Sequence, residues 1–263
     1  MPWNGHPGRD LKMRVNINYY YKMDDLTIRP LPQLERVFEC LIHPLLPQGS
    51  ALIVAPSFSG KSTLLVNMIL RARFGLCVHY QKIIIFSPTV HQDSSWDLLQ
   101  PSNYFPSPVR CRDGKRRMSA EILLDSDFNT DKVQAVLDSQ EALETRVRPR
   151  VLLILDDLAS ELQQGNITMN RLLFRGRHSK VWCYITSQLY RRVPRAIRVN
   201  MGYLIFFQVN QNELKTISEE LSTGSVREFE DLFKKCTSKQ FSFLCVDMKK
   251  PVDKRYLCNF KPI

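Results

Sequence analysis

One short stretch, residues 54–63, most constrains what this chain can fold into. It consists of Val-Ala-Pro-Ser-Phe-Ser-Gly-Lys-Ser-Thr, after an apolar run at residues 51–54 and before a helix-compatible run at residues 64–70. At such a strand-turn-helix junction, successive backbone N–H groups and a helix N-terminus can bind phosphates. The stretch therefore predicts a phosphate-binding loop, although an ordinary strand-turn-helix with a chance Gly-Lys-Ser would have the same pattern.

The residue types within this loop predict which ligand groups each one binds. Lys61 is expected to reach the terminal phosphates, and the hydroxyl of Ser62 is expected to ligate Mg²⁺. The nucleotide-binding residues predicted from the loop are Pro56, Ser57, Phe58, Ser59, Gly60, Lys61, Ser62 and Thr63.

Further apolar runs alternate with segments of helical spacing. The runs lie at residues 83–86, 151–155, 181–186 and 203–207. Continuous apolar runs of this length are typical of strands buried on both faces, as in a parallel sheet. The alternation predicts an α/β fold with a central, mostly parallel sheet and helices on both faces.

The end of the chain has a different pattern. Residues 212–221 and 225–236 have helical spacing, whereas residues 240–246 and 255–260 could pair as a hairpin. Between residues 88 and 118 four prolines interrupt any regular pattern and basic residues cluster, which predicts a long loop. Its charges are equally compatible with solvation and with contacts to DNA.

Two adjacent carboxylates, Asp156 and Asp157, follow the apolar run at residues 151–155. Charge at the end of a buried strand is costly unless a metal ion or a solvent-filled site meets it there. We expect Asp156 to help hold Mg²⁺ and Asp157 to orient or deprotonate the attacking water, as in nucleotide-hydrolysing folds. Helix capping by Asp157 would be the structural alternative.

Gln188 follows the apolar run at residues 181–186. The end of that run is expected to lie at the same edge of the sheet as the phosphate loop. A glutamine in that place can donate to a γ-phosphate and orient water. A polar residue after a strand is common, so its position after the acidic strand is what supports this role.

Basic residues lie on both sides of the apolar run at residues 181–186. An arginine supplied by a neighbouring subunit can stabilise the charge on a transferring phosphoryl group, and others would contact DNA phosphates or solvent. The residues in question are Arg175, Arg177, Lys180, Arg191, Arg192, Arg195 and Arg198.

The overall charge agrees with a polyanionic partner. Lys and Arg number 37 against 26 Asp and Glu, a formal net charge of +11. Such an excess favours nucleic acid as a partner, although a basic protein need not bind one.

Cysteine usage and hydropathy indicate the compartment. The seven cysteines are odd in number and never in C-x-x-C spacing, which argues against a disulfide framework and a zinc site. No apolar run approaches the roughly 20 residues of a membrane helix. We expect buried thiols in a reducing compartment and an intracellular protein that is neither secreted nor inserted in a membrane.

Three segments resemble the sequence pattern of a known protein family. Residues 173–178 are Leu-Phe-Arg-Gly-Arg-His, residues 185–194 are Ile-Thr-Ser-Gln-Leu-Tyr-Arg-Arg-Val-Pro, and residues 197–200 are Ile-Arg-Val-Asn. With the phosphate loop and the acidic strand in matching order, the chain resembles the viral genome-packaging ATPases of large DNA viruses, the poxvirus-type branch of the FtsK–HerA superfamily. The similarity spans roughly residues 50 to 210.

The resemblance implies a RecA-like P-loop NTPase fold and a function. It implies a homo-oligomeric ring, a hexamer, that uses ATP and Mg²⁺ to drive double-stranded DNA into a preformed capsid. A capsid protein or portal vertex would be a further partner, and the infected host cell the location, with retention in the virion left open. Arg177 and Arg198 best match the family's arginines, and Arg198 is the preferred trans-acting finger.

Two residues depart from the family pattern. The family opens its loop with Gly where this chain has Ala55, which fits only if the local φ is negative. A Gly is also common where Phe58 stands, and a bulky ring there would alter the loop or cover the nucleotide. Both departures bear on the tightness of nucleotide binding.

The length of 263 residues suits one large domain with a small appendage. We expect an N-terminal arm over residues 1–30 and a P-loop ATPase domain over residues 31–263. Within that domain, residues 50–210 would form the core and residues 211–263 a helical and hairpin extension.

Three alternatives to a double-stranded DNA motor stay open from the sequence. One is a helicase or other single-strand motor of the same fold. Another is a P-loop module that binds nucleic acid or docks on a capsid without hydrolysis, which Ala55 and Phe58 keep open. A small-molecule kinase is disfavoured because no lid with clustered arginines is evident.

Overall fold

A large mixed sheet dominates the computed structural model, which describes residues 39–40, 49–71, 76–111, 116–158, 161–162 and 166–263. The N-terminal arm predicted for residues 1–30 lies outside these ranges. In chain order, the strands are β1 (Glu39–Cys40), β2 (Ala51–Val54), β3 (Lys82–Phe86), β4 (Pro108–Cys111), β5 (Arg116–Met118), β6 (Glu121–Asp125), β7 (Val151–Leu155), β8 (Val181–Ser187), β9 (Tyr203–Phe206), β10 (Leu244–Asp247), β11 (Tyr256–Cys258) and β12 (Lys261–Pro262).

Seven helices accompany the strands in the described part of the chain. They are α1 (Lys61–Leu70), α2 (Leu76–His79), α3 (Thr130–Glu141), α4 (Ile167–Arg175), α5 (Arg195–Arg198), α6 (Gln211–Leu221) and α7 (Val226–Thr237). Short 3-10 helices occur as well, among them one at Ser94–Leu99. Asn or Ser side chains cap the N-termini of α3, α4, α6 and α7, because their oxygens accept from backbone N–H groups that lack helical partners.

The strand order of the large sheet is β12-β11-β10-β9-β2-β8-β7-β3-β6. The six strands from β9 to β6 run parallel, and β10, β11 and β12 add antiparallel pairs at one end. Strand β8 therefore lies between the strand before the phosphate loop and the strand before the two aspartates. All three end at the same edge, which we call the carboxyl edge of the sheet.

Each face of the sheet carries its own apolar core, because side chains alternate along every strand. From β2, Ala51 and Ile53 point into a core with α1 and α2, while Leu52 and Val54 point into a core with α3, α4, α6 and α7. All four side chains are fully buried. A strand apolar on both faces is what a parallel sheet covered by helices on both sides requires.

The predicted fold class is confirmed, including the C-terminal helices and the hairpin formed by β10 and β11. The prediction of a long loop over residues 88–118 was wrong in part. This segment contains the 3-10 helix Ser94–Leu99 and the short strands β4 and β5, which join β1 in a separate small sheet. Strand β6 was not predicted from the sequence. Its side chains are half exposed at the end of the large sheet, and this weakens the apolar pattern.

Five cysteines are free thiols, of which Cys77, Cys183, Cys236 and Cys245 are buried and Cys258 is half-buried. Burial raises the pKa of the Cys236 thiol to about 12, with a further contribution from neighbouring Cys258. In the part of the chain that the structure describes, no helix combines the length and the apolar character needed to cross a bilayer.

Candidate nucleotide site

The phosphate loop connects β2 to α1 at the carboxyl edge. Its first turn is closed by the Ser59 N–H, which donates to the Pro56 carbonyl at 3.3 Å. Gly60 then takes a φ of 90° and starts α1, whose Leu64 N–H donates to the Gly60 carbonyl at 2.9 Å. A side chain is strained at such a φ, so glycine is required where the chain turns from loop to helix.

Ala55 and Phe58, the two residues that depart from the family pattern, differ in backbone conformation. Ala55 is absent from the residues with positive φ, as its fit required, and its N–H donates to the Ser187 carbonyl at 3.0 Å. Phe58 does adopt a left-handed φ of 61°, and its side chain is fully exposed. The ring therefore extends into solvent and does not pack over the loop.

Lys61 lies between the two predicted carboxylates. Its Nζ atom is 3.6 Å from an Oδ1 atom of Asp156 and also 3.6 Å from Oδ1 of Asp157. Asp156 is buried, whereas Asp157 is about one-third exposed at 36%. The structure thus brings together the lysine and the acidic pair, which are about a hundred residues apart in the sequence.

Hydrogen bonds from neighbouring strands fix the Asp156 carboxylate. Ser87, at the end of β3, donates to Oδ2 at 2.9 Å, and Thr186, in β8, donates to Oδ1 at 2.7 Å. The Ser87 hydroxyl also lies 3.2 Å from that of Thr89. The two hydroxyl donors and the nearby ammonium replace part of the hydration that this carboxylate loses on burial.

Asp157 is held by its backbone and by its side chain. Its N–H donates to the Thr186 hydroxyl at 2.8 Å, and its Oδ2 accepts from Gln188 Nε2 at 2.6 Å. The residue has a φ of 57°, a left-handed conformation that is uncommon outside glycine and turns the side chain away from the strand direction. Gln188 thus contacts the second aspartate directly, with its amide oxygen left to accept from another group.

The sequence reasoning missed three polar residues of this network, Ser87, Thr186 and Asp93. Asp93 caps the 3-10 helix Ser94–Leu99 through its Oδ1, which accepts from the Ser95 N–H at 2.9 Å. Burial would raise the pKa of its carboxyl, but hydrogen bonds from Ser95 and Ser62 and the charge of Lys61 lower the pKa below its usual value. Ser87 and Asp93 follow the apolar strand β3, as Gln188 follows β8, and that position was the signal available in the sequence, whereas Thr186 lies inside β8 and had no such signal.

The donor set fits a magnesium ion bound together with a nucleotide. Mg²⁺ in such sites takes one or two carboxylates or hydroxyls from the protein and completes its octahedron with phosphates and water. Ser62, at the first turn of α1, and Asp156 would supply the protein oxygens. Among the described residues no group of three or more His, Cys, Asp or Glu could hold a metal by itself.

Arg198, the preferred trans-acting finger, makes its contacts within its own subunit. Its side chain is 8% exposed and pairs through Nη2 with Glu220 at 2.9 Å. The guanidinium carbon lies 4.3 Å from the centre of the Tyr190 ring, and the Tyr190 hydroxyl donates to Glu220 at 2.8 Å. Arg198 thus joins the segment after β8 to α6 within one subunit.

Arg177, in contrast, is exposed and lies at the opposite edge of the sheet. It follows α4 and lines an open cavity of about 670 Å³ just before the first residues of β3, β7 and β8. The other lining residues include four more cations, and none of the described lining residues carries a carboxylate: Gln81, Arg146, Val147, Arg148, Pro149, Arg150, Lys180 and Trp182. Arg177 therefore does not reach the Lys61 site of its own subunit.

The chain was compared with protein families and with proteins of known structure. A family model described as Poxvirus A32 protein matches residues 50–247. No curated protein matched the sequence at a significant level.

Solved structures of a viral NTPase share the fold. The genome packaging NTPase B204 from Sulfolobus turreted icosahedral virus 2, in complex with sulfate, matches with a TM-score of 0.54 at 20% identity, over 77% of this chain and 92% of that chain. The same protein in complex with AMPPCP matches with a TM-score of 0.53 at 17% identity, over 78% and 94%. B204 from Sulfolobus turreted icosahedral virus, described as a DNA-packaging ATPase, gives 0.53 at 19% identity, over 77% and 94%.

Proposed function

Because this chain belongs to the poxvirus A32 protein family, which is a family of viral packaging ATPases, we propose that it hydrolyses ATP to move double-stranded DNA into a viral capsid. The observation that carries the proposal is the meeting of Lys61, Asp156, Asp157 and Gln188 at one edge of the sheet. A lysine in a phosphate loop beside two carboxylates is the arrangement that nucleotide hydrolysis needs. The B204 complexes with nucleotide analogues support ATP as the ligand class.

The residues of the candidate site have separate roles in phosphate binding and in hydrolysis. The backbone of residues 56–63 and the Lys61 ammonium would bind the phosphates, with the charge of Lys61 stabilising the equatorial oxygens in the transition state. Asp157 would polarise the attacking water, and Gln188 would hold both Asp157 and that water through its amide. The 2.6 Å bond between Gln188 and Asp157 supports this pairing.

Ser62 and Asp156 would hold the magnesium ion that accompanies ATP. When bound, this ion neutralises charge on the β- and γ-phosphates. The hydrogen bonds from Ser87 and Thr186 would keep the Asp156 carboxylate oriented toward it, which reduces the reorganisation that binding requires.

Hydrolysis would be completed between subunits of a hexameric ring. Since Arg198 is buried and paired with Glu220, we propose Arg177 as the trans-acting finger, because its guanidinium is exposed and donates to His178 Nε2 only at the long distance of 3.5 Å. An arginine finger of this kind accelerates phosphoryl transfer by about 10³- to 10⁵-fold. The net charge of +11 supports DNA as the substrate of the ring.

Virus assembly sites inside the infected cell would be the place of action, with the capsid or its portal vertex as the docking partner. This part of the proposal rests on the family.

The first test is ATP turnover with and without duplex DNA. Wild type should hydrolyse ATP faster with duplex than with single-stranded DNA, and Lys61→Ala and Asp157→Asn should abolish turnover. Strong unwinding with a preference for single strands would indicate a helicase instead. Nucleotide binding without turnover, in an assembled ring with DNA, would indicate a non-hydrolysing module.

The second test separates action in cis from action in trans. Arg177→Ala should remove turnover while leaving ATP affinity unchanged, and Arg175→Ala, an exposed arginine of the same segment, serves as the control. Mixing Arg177→Ala with Lys61→Ala subunits should restore part of the activity, because some interfaces then combine an intact loop with an intact arginine. Mixtures as inactive as their components would contradict a trans role.

A further inference from the structure

Phe241 lies in a tight turn between α7 and β10, in a conformation that a phenylalanine rarely adopts. The Ser242 N–H donates to the Lys239 carbonyl at 3.0 Å, which makes Phe241 the third residue of a four-residue turn. Its φ is 62°, and turns with a left-handed third residue usually have glycine or asparagine there. A bulky residue in this conformation is an outlier of the kind that concentrates at ligand sites.

The surroundings of the turn hold this conformation in place. The Lys239 N–H donates to the Ser242 hydroxyl at 3.1 Å, and that hydroxyl donates back to the Lys239 carbonyl. The next residue, Phe243, is buried between two rings, 5.4 Å from the centre of Phe207 and 4.7 Å from that of Phe260. The turn is therefore anchored on the core side, while Phe241 itself is 53% exposed.

The exposed ring packs against the phosphate loop. A Cβ atom placed on Gly60 would be 3.1 Å from Cδ1 of Phe241, so the ring lies directly against the glycine that begins α1. Gly60 and Phe241 are 181 positions apart in the chain (241 − 60), and only the sheet brings them together.

The direction of a bound nucleotide follows from the strand order. Lys61 points toward Asp156 and Asp157, which follow β7, so the terminal phosphates lie over the β8 and β7 side of the loop. The nucleoside end of the same molecule must then leave the loop on the β9 and β10 side. Phe241 stands there, three residues before Leu244, which pairs with Phe206 at the end of β9.

We infer that Phe241 is the platform on which the base of the bound nucleotide stacks. This inference rests on the proposed function, since it assumes a nucleoside triphosphate in the loop. An exposed aromatic ring stacks on the face of any base and gains more contact with a purine than with a pyrimidine. Phe241 thus favours ATP and GTP over CTP and UTP without distinguishing the two purines.

Binding of two ligands to the same variants tests this assignment. Inorganic tripolyphosphate contains the phosphates of ATP without the nucleoside, so calorimetry with each ligand in Mg²⁺ separates base contacts from phosphate contacts. Phe241→Ala should weaken ATP binding about 5- to 100-fold and leave tripolyphosphate binding unchanged. Phe241→Tyr keeps the ring and should retain the affinity for ATP.

The control variant is Phe174→Ala, which removes an exposed ring from α4 on the far side of the sheet and should change neither affinity. An equal loss of both ligands in Phe241→Ala would mean that the ring only supports the loop, and would overturn the inference. Unchanged ATP binding would overturn it too, while the proposed function would stand. A wild-type protein that binds neither ligand would refute both.

Discussion

Thr186 offers the sharpest test of how the acidic pair is held. Its side chain is fully buried in β8. The hydroxyl donates to Asp156 at 2.7 Å and accepts from the Asp157 N–H at 2.8 Å, so one group joins both aspartates. Valine has nearly the same shape without the hydroxyl, and Thr186→Val therefore removes both bonds with little change in packing.

The loss of stability expected in Thr186→Val can be estimated from these two hydrogen bonds. A hydrogen bond to a charged group contributes about 1.5 to 3 kcal/mol, and a buried N–H left without a partner costs about 1 to 3 kcal/mol. The two contributions overlap, since they share one hydroxyl, and we expect Thr186→Val to lower the free energy of unfolding by about 2 to 4 kcal/mol. A loss of this size is a large part of a typical stability of about 5 to 15 kcal/mol.

Urea unfolding followed by circular dichroism measures this difference. Thr186→Ser is the matched control because it keeps the hydroxyl and loses one methyl group, at a cost of about 1 kcal/mol. ATP turnover should fall in Thr186→Val and persist in Thr186→Ser, since Asp157 loses its backbone anchor only in the first. If the valine variant were as stable as the serine variant, the bridging role of the hydroxyl would be refuted.

Three further predictions concern other charged groups of the fold. Burial and then neighbouring positive charges lower the pKa of His79 from 6.5 to about 4, so stability present above pH 6.5 is lost as the pH falls toward 4, because the unfolded chain binds the proton first. Partial exposure of the ring limits this loss of unfolding free energy to about 1 to 2 kcal/mol. Urea titrations near pH 6.5 and pH 4 should show the loss in wild type and not in His79→Gln. Arg198→Ala leaves Glu220 with the Tyr190 hydroxyl but without its ion-pair partner and should cost about 2 to 4 kcal/mol of unfolding free energy in the same assay, whereas a stability unchanged from wild type would argue against the buried pair. Asp93→Asn removes the carboxylate beside the Ser62 hydroxyl and should weaken ATP binding about 3- to 10-fold with Mg²⁺ but not with EDTA, while exposed Asp97→Asn should have no effect in the same calorimetry.

Much of the fold could be predicted because buried parallel strands have a strong local signal. The runs that became β3, β7, β8 and β9 are apolar at nearly every position. Strand β6 has only one buried residue among five, so its pattern is that of a surface segment. The order of the strands has no local signal at all.

The site was predictable where chemistry follows a strand directly, and not where it depends on the order of strands. Lys61, Asp156 and Gln188 each come after an apolar run or a recognisable loop. Thr186 is inside a strand, and its role exists only because β8 lies between β2 and β7. The ion pair of Arg198 could not be predicted for a related reason, since its partner Glu220 lies on a helix that no local pattern connects to it.

The position of β2 in the middle of the sheet also affects how the protein folds as it is made. Strand β2 leaves the ribosome before both of its neighbours, β8 and β9, and 127 positions separate Val54 from Val181 at the start of β8 (181 − 54). Contacts of such sequence separation form slowly, because a long loop must close before they contribute. The strand that leads into the phosphate loop therefore stays apolar and without either neighbour until β8 has been made, and in that time it is exposed to aggregation and to chaperones.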